Sequence, residues 1–151
     1  MLYDNFVQNK LVLLGDKEQV QQLDEMFESG MDFNLVIPVR GETQDRLIGW
    51  GTTQNARDTF FDGTAICFLS SKTAPHQVIH KLSEMFPDVE INHMYADYPY
   101  SLSVTGHLVY KGGDIVRQKT PLSFDERLNF ACYLWKFNLK QVKESLKLTR
   151  E

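Results

Sequence analysis

The residues whose types and spacing come closest to a chemical site are His93, Tyr95 and Asp97. They alternate along one predicted strand, so their side chains should point to the same face of a sheet. A histidine and an aspartate four residues apart on a strand are about 13 Å apart at the backbone, too far for a direct hydrogen bond. We therefore expect no acid–base pair, and we treat the three as candidate binding residues on an exposed face of the sheet.

A second pair, His76 and His80, lies one helical turn apart, so both side chains could face one side, as in helical zinc sites. No Glu-x-x spacing accompanies them, and other residues form the apolar stripe of that predicted helix. We expect surface histidines, and we predict no metal site and no cofactor. The chain also has no nucleophile elbow, no phosphate-binding glycine loop and no His-x-Thr pair, so we predict no catalytic residues and no enzyme.

The most specific local signal is Trp50-Gly51-Thr52, with Asn55 close behind, in a polar segment. A tryptophan in such a segment can stack on a base or fill a pocket of a partner. It can equally fold back onto the sheet, with its indole N–H on a backbone carbonyl. Both interpretations stay open at this point, and Trp50, Gly51, Thr52 and Asn55 are candidate binding residues.

Charge limits the class of partner. The chain of 151 residues has a net charge of −4, but residues 136–151 carry five basic and two acidic residues, which leaves −7 for the rest. An acidic body disfavours a nucleic-acid or nucleotide partner, because such affinity comes mainly from neutralising phosphates. A protein partner is the better expectation.

Composition predicts a single globular domain, with 42% hydrophobic residues. Cys67 and Cys132 both lie in apolar stretches, so we expect buried free thiols in a reducing compartment. No apolar run is long enough to cross a membrane, and the N-terminus does not resemble a signal peptide. We expect a cytoplasmic protein of a bacterial host cell, with no membrane partner.

The elements that must position these residues follow from periodicity and turn signals. A strand at 9–15 precedes a helix that Asp16 caps, and residues 33–37 read as a short strand. Residues 39–63 are predicted to form an irregular loop, which is often functional. The remaining predicted elements are a strand at 65–69, a helix opened by Pro75 and ended by Pro87, strands at 89–96 and 104–110, and a hairpin arm at Ile115 and Val116.

This order predicts an α+β fold of the ferredoxin-like split βαβ type, with an antiparallel sheet and the two crossover helices on one face. An extra strand or hairpin and a long C-terminal helix follow. Residues 1–120 should form the ferredoxin-like domain, with the inserted loop 39–63. Residues 121–151 should form a helix packed on the same domain, with its end projecting.

A capping box of Ser123 and Glu126 begins this last helix, which is predicted to be continuous. Apolar residues from Leu128 to Leu146 recur at steps of four and three, the spacing of a packed seam. The second half keeps only a narrow stripe, which favours contact with a partner or a second copy of the chain. The side chains that we expect in this contact are Trp135, Leu139, Val142 and Leu146.

A series of short motifs occurs along the chain between residues 6 and 118. They are Asn9-Lys10-Leu11, Asp32-Phe33-Asn34, Val36-Ile37-Pro38, Trp50-Gly51-Thr52, Asn55-Ala56, Ala74-Pro75, Leu82-Ser83, Phe86-Pro87, Tyr95-Ala96-Asp97, Gly106 and Gly113. This set resembles the YubB-type ferredoxin-like family of uncharacterised phage and plasmid proteins. Two positions depart from that family, since Thr53-Gln54 replace a common Lys-Trp pair and Tyr98 replaces an acidic residue. The resemblance implies the fold and a mobile-element origin, and it implies no activity or cofactor.

We therefore expect a non-enzymatic accessory protein of a phage or plasmid that acts by binding a protein, such as a host or defence factor or a second copy of itself. The alternative is a nucleotide or nucleic-acid binding module that uses Trp50 and the sheet face around Tyr95. Modules of that kind carry basic residues beside their aromatic ones. Residues 89–98 contain two acids and no Lys or Arg, which argues against the alternative.

Overall fold

The computed structural model describes residues 5–150, and the backbone alone of residues 148–150. Among these residues, no helix is both long and apolar enough to cross a membrane. A short 3-10 helix spans Phe33–Leu35. The strands are β1 Phe6–Gly15, β2 Arg57–Asp62, β3 Ala65–Ser71, β4 Val89–Asp97, β5 Thr105–Lys111 and β6 Asp114–Gln118. The α-helices are α1 Lys17–Met26, α2 Thr43–Trp50, α3 His76–Met85, α4 Phe124–Trp135 and α5 Leu139–Arg150.

The six strands form one antiparallel sheet in the order β2-β3-β1-β4-β5-β6. The four strands β2-β3-β1-β4, with α1 and α3 as crossovers, have the ferredoxin-like arrangement. The hairpin of β5 and β6 extends the sheet beyond β4. The predicted fold class is therefore confirmed, including the additional strand.

One face of the sheet packs against α1 and α3. Alternate residues of β1, among them Leu11 and Leu13, meet Leu23 of α1 and Leu82 of α3 in one buried cluster. Each such leucine contributes about 1.5–3 kcal/mol by leaving water. His93 and Tyr95 lie on this same face, because they are two and four residues after Ile91 on β4, and Ile91 belongs to the cluster.

The opposite face is covered by α4. Ala96 of β4 packs against a second buried cluster that includes Leu128 and Ala131. On β1, the Lys10 ammonium lies 2.7 Å from the Tyr133 hydroxyl of α4 and 3.2 Å from the Asp62 carboxylate. The prediction that His93, Tyr95 and Asp97 occupy an exposed sheet face is therefore wrong, because helices cover both faces of β4.

Both cysteines are buried free thiols, as predicted. Burial raises the pKa of the Cys67 thiol to about 11. The thiolate is the reactive form of cysteine, so Cys67 is poorly placed for nucleophilic or redox chemistry.

The predicted strand at 33–37 is wrong. Side chains of this segment satisfy the backbone locally, since Asn34 N donates to the Asp32 carboxylate and Val39 N donates to the Asn34 side-chain oxygen. Such local hydrogen bonds compete with a strand ladder. The segment turns as a 3-10 helix and buries Phe33 in the core.

The prediction of an irregular loop at 39–63 is also wrong, because this stretch contains α2 and β2. Glu42 N donates to the Asp45 carboxylate where α2 begins. The helix ends at Gly51, which adopts a left-handed φ of 81°. The second strand of the ferredoxin-like unit is thus β2, and α2 precedes it in the chain.

The C-terminal helix is two helices and not one. Lys136 adopts a left-handed φ of 58° and ends α4, and Gln141 N donates to the Asn138 side chain where α5 begins. The chain folds back there, so Val142 is only 3% exposed and packs on the same buried cluster as α4. Leu139 and Leu146 are half-buried against that cluster. The stripe that we expected to meet a partner is thus largely packed within its own chain.

Candidate functional site

A buried polar cluster lies where β1, β3 and β4 meet α3. The amide nitrogen of Asn9 donates to Val7 O at 3.1 Å and to the Ser70 hydroxyl at 2.9 Å. The Asn9 oxygen is left facing His93 Nε2 at 2.8 Å. An amide oxygen can only accept, so Nε2 carries the hydrogen of the imidazole.

The other ring nitrogen of His93, Nδ1, is buried, and its lone pair has no hydrogen-bond partner among the described residues. Burial, with further contributions from His76 and His107, holds the pKa of His93 well below its ordinary value. The ring is therefore neutral at physiological pH. A neutral, oriented imidazole is chemically a base, but the hydroxyl of the cluster, on Ser70, donates to Thr73 O at 2.7 Å and is not hydrogen-bonded to the ring.

Aromatic rings surround this imidazole. The His93 and Tyr95 ring centres lie 5.0 Å apart, and the His76 ring meets Tyr95 edge-on at 5.1 Å. Burial lowers the pKa of His76 and raises that of Tyr95. The prediction of a surface position is wrong for His76, which is half-buried. It holds for His80, which is exposed and lies 3.3 Å from the Glu84 carboxylate.

Two open clefts flank α3 and share His76 and Gln77. The α3–β5 cleft has a volume of about 540 Å³ and the α3–β6 cleft about 490 Å³. The α3–β5 cleft is lined by residues without a permanent charge, which are Leu47, Gly51, Thr73, Ala74, His76, Gln77, Tyr95, Ser103, Val104 and Thr105. The α3–β6 cleft is lined by Ile37, Gly49, His76, Gln77, His80, Lys81, Glu84, Tyr110 and Ile115.

Two motif glycines lie next to side chains of the α3–β5 cleft. A Cβ on Gly106 would lie 2.2 Å from the Tyr95 ring, and one on Gly51 would lie 2.1 Å from the Gln77 amide oxygen. Neither distance is compatible with a real Cβ. Gly106 therefore makes room for the Tyr95 ring, whereas the Gln77 amide ends a flexible, exposed side chain that can move away from a Cβ on Gly51.

The predicted binding residue Trp50 is 2% exposed. Its indole N–H donates to Ile37 O at 2.8 Å, and its ring packs edge-on against Phe33 at 5.5 Å. The interpretation that Trp50 folds back onto the core is thus confirmed. Stacking on a ligand would require unfolding of α2.

The other predicted residues mostly position the chain. Thr52 donates to Ser71 O at 2.6 Å. The Asn55 side chain donates to the Asp32 carboxylate at 2.8 Å and accepts from Phe33 N of the 3-10 helix at 2.8 Å. Asp97 accepts from the Ser103 backbone and hydroxyl at 2.9 and 2.8 Å, so it orders a residue of the α3–β5 cleft. Asp97 is not hydrogen-bonded to His93, which agrees with the prediction from the strand spacing.

Of the predicted set, Gly51 and Tyr95 line the α3–β5 cleft, and His93 lies behind Tyr95. Four further polar lining residues were not predicted from the sequence: Thr73, Gln77, Ser103 and Thr105. The start of α3 at Pro75 was the available signal for Thr73 and Gln77, since residues flanking a helix start are brought near the strand ends. No group of three or more His, Cys, Asp or Glu side chains that could hold a metal occurs within residues 5–150.

The sheet order and the two crossover helices define a ferredoxin-like domain. Residues 49–138 match the family model for the ferredoxin-like domain in Api92-like protein, which covers more than half of the chain. The chain belongs to this family. The expected fold is thereby confirmed, whereas the YubB-type assignment and the phage or plasmid origin stay predictions.

The crystal structure of protein api92 from Yersinia pseudotuberculosis has the same fold, with a TM-score of 0.50 and 18% sequence identity. The match covers 61% of this chain and 40% of that chain, so this chain spans less than half the length of its structural relative. No curated protein matches the chain.

Proposed function

We propose that this chain is a non-enzymatic accessory protein of a phage or plasmid, and that it binds an extended segment of a host or defence protein at the edge strand β6. The mobile-element origin is supported by the motif resemblance. The binding mode is supported by one observation, the open edge of β6.

All five residues of β6 are exposed, and within residues 5–150 no strand pairs with its outer edge. Ile115 and Val116 are 47% and 48% exposed. An open edge with apolar side chains is a template for an added strand. Proteins use this mode to bind extended peptides, with main-chain hydrogen bonds supplying affinity.

The hairpin geometry sets which groups of β6 face outward. Gly112 and Gly113 both have positive φ and form a two-residue turn between Lys111 and Asp114. The pair that flanks such a turn exchanges hydrogen bonds across the hairpin. The next residue, Ile115, therefore directs its N–H and C=O away from β5 and towards an incoming strand.

The α3–β6 cleft lies beside this position, because Ile115 is one of its lining residues. Alternate side chains of an added strand point to the same face of the sheet. One of them would enter the cleft against Ile37, Tyr110 and Ile115. The cleft would thus supply sequence preference for an apolar side chain.

The opposite edge of the sheet is protected. The register of β2 shifts between Arg57 and Phe60, and Asp58 has a positive φ of 50°. The Thr59 hydroxyl accepts a hydrogen bond from Met31 N at 2.9 Å. Bulges and covering segments are common protections of edge strands. The pairing of β6 with β5 also has a register shift, between Val109 and Tyr110, so the segment at Met31 that covers β2 is what distinguishes the two edges and favours β6 for binding.

The test is selection of peptides from a displayed random library on the full chain. We expect selected peptides to be extended, with apolar residues at alternate positions. Ile115→Pro removes the outward N–H and should abolish binding. The variant should still fold, because proline is tolerated on an edge strand. Ile115→Ala keeps that N–H and should only weaken binding.

Thermal unfolding establishes that both variants are folded. Val116→Ala is the matched control for loss of an exposed apolar side chain elsewhere on the strand. Peptides that bind Ile115→Pro as tightly as the original chain would rule out strand addition at β6.

A further inference from the structure

A third cleft lies between α2 and the end of β3, on the chain segment that follows the Trp50-Gly51-Thr52 motif. We propose that this basic cleft binds the phosphate group of a small ligand. It has a volume of about 580 Å³. Its lining consists of Thr43, Arg46, Thr53, Gln54, Asn55, Ala56, Arg57, Ser71 and Lys72.

The cleft concentrates positive charge in a chain whose net charge is −4. Three of its lining residues, Arg46, Arg57 and Lys72, are cations, and none is an acid. None of the three cations forms an ion pair with an acid of the described chain. Their charges are thus available to an anion.

Two acids close to the cleft in the chain, Asp32 and Asp58, are not among its lining residues. The Asp32 carboxylate accepts from Asn55 Nδ2 at 2.8 Å and from Asn34 N at 3.0 Å. Asp58, although next to Arg57 in sequence, lines a different cleft, beside Phe60. The lining of the basic cleft therefore offers mainly donors to a bound group.

A buried hydroxyl adds a neutral donor. Ser71 is 5% exposed, and its hydroxyl receives a hydrogen bond from the Thr53 hydroxyl at 3.3 Å. Each hydroxyl carries one hydrogen, and their mutual bond uses one of the two. The remaining hydrogen, on Ser71, has no acceptor among the described residues. A phosphate oxygen in the cleft would supply one.

One of the three cations stacks on an aromatic ring, and a backbone hydrogen bond fixes the chain at a second. The Arg57 guanidinium stacks over the Phe6 ring at 5.1 Å, which leaves its N–H edge free. Lys72 has a left-handed φ of 65°, and its N–H donates to Asn5 O at 2.6 Å. Guanidinium groups match the tetrahedral oxygens of phosphate with paired hydrogen bonds.

A small ligand is favoured over a nucleic-acid strand. The three cations converge on one cleft and do not follow a track, and the rest of the chain is acidic. Binding of a strand without sequence preference also uses aromatic stacking platforms along a groove. No aromatic residue lines the basic cleft. Its volume suits a phosphate with a small organic group, such as a nucleoside monophosphate.

The test is calorimetric titration of the full chain with inorganic phosphate, with a nucleoside monophosphate and with the corresponding nucleoside, at constant ionic strength. We expect both phosphates to bind and the nucleoside not to bind. Arg46→Gln and Lys72→Gln should each weaken binding about tenfold, the usual effect of losing a charge-assisted hydrogen bond. The matched controls Lys81→Gln and Lys111→Gln, at exposed lysines elsewhere, should leave the affinity unchanged.

Failure of both phosphates to bind would overturn the proposal, as would equal effects of the cleft and control variants. Single-stranded oligonucleotides with and without a 5′-phosphate form the last arm. Preference for the phosphorylated strand supports a phosphate site, and equal, strongly salt-dependent binding of both contradicts it. The site is independent of β6, so Ile115→Pro should bind phosphate normally whether or not strand addition is correct.

Discussion

Asn9 fixes the tautomer of His93, because its side-chain oxygen accepts the Nε2 hydrogen at 2.8 Å while its nitrogen donates to β1 and β3. The result is a fully buried neutral imidazole whose Nδ1 has no hydrogen-bond partner in the part of the chain that the structure describes. Protonation would create an unpaired charge in the core, where desolvation is costly. His93 therefore links the stability of the fold to pH.

We expect the free energy of unfolding to fall as the pH drops below about 6.5, the ordinary pKa of histidine. Since the pKa of His93 is lowered on folding, the unfolded chain binds more protons in this range, and acid favours unfolding. Urea unfolding at a series of pH values, from about 7.5 to about 5 on either side of the ordinary histidine pKa, measures how the free energy of unfolding changes with pH.

His93→Gln keeps a donor for Asn9 and should reduce the pH dependence. Some dependence should remain, because burial also lowers the pKa of His76 and of His107. His80→Gln, at an exposed position, is the control. An unchanged slope in His93→Gln would contradict the assignment.

A second prediction concerns Gly106, which lies under the Tyr95 ring. Gly106→Ala would place a Cβ 2.2 Å from that ring, and overpacking of this kind costs about 1–3 kcal/mol. The cost should largely vanish in the Tyr95→Ala background, where the ring is absent. A double-mutant cycle by urea unfolding gives the coupling energy. Additive effects of the two substitutions would mean that the ring moves aside freely.

The central fold could be predicted from the sequence because its signals are local and strong. The stripe of Val78, Ile79 and Leu82 indicates α3, and continuous apolar runs indicate β1 and β3. Asp16 caps α1 as predicted, since Gln19 N donates to its carboxylate at 3.0 Å. These elements suffice to define the ferredoxin-like order, even though the second strand was assigned to the wrong segment.

The errors arise where side chains override a periodic pattern. Residues 33–37 are apolar like a strand, but Asp32 and Asn34 bind the local backbone and turn it. Lys136 ends α4 without a glycine to signal the break. The Asn138 cap was visible in the sequence, but the heptad spacing across it was the stronger pattern.

The candidate site was only partly predictable, because its residues come together through tertiary packing. Tyr95 and Gly51 are far apart in the chain and meet beside α3. The burial of His93 depends on α3 covering that face of β4, which strand spacing alone does not indicate. The basic cleft likewise joins α2 to the end of β3, and α2 was not predicted.

A third prediction separates the two tryptophans by fluorescence. Trp50 is buried, so in the Trp135→Phe variant its emission should be blue-shifted and weakly quenched by acrylamide, with no response to oligonucleotides. Trp50→Phe should lower the free energy of unfolding by about 2–4 kcal/mol, because it leaves a cavity and removes the donor to Ile37 O. Strong quenching of Trp50 in the folded chain would reopen its role as a binding residue.

The last prediction tests whether the C-terminal stripe serves the chain itself or a second copy. Val142 packs on the cluster beneath α4, so Val142→Ala should lower the free energy of unfolding by about 2 kcal/mol through lost burial and a cavity. If the packing is internal, this loss is the same at every protein concentration, and light scattering gives the same mass for both chains. If the stripe instead forms a homodimer, stability rises with concentration and Val142→Ala shifts the mass towards the monomer. Val116→Ala, at an exposed valine on β6, should change neither quantity, which separates loss of core packing from a general effect of removing a valine.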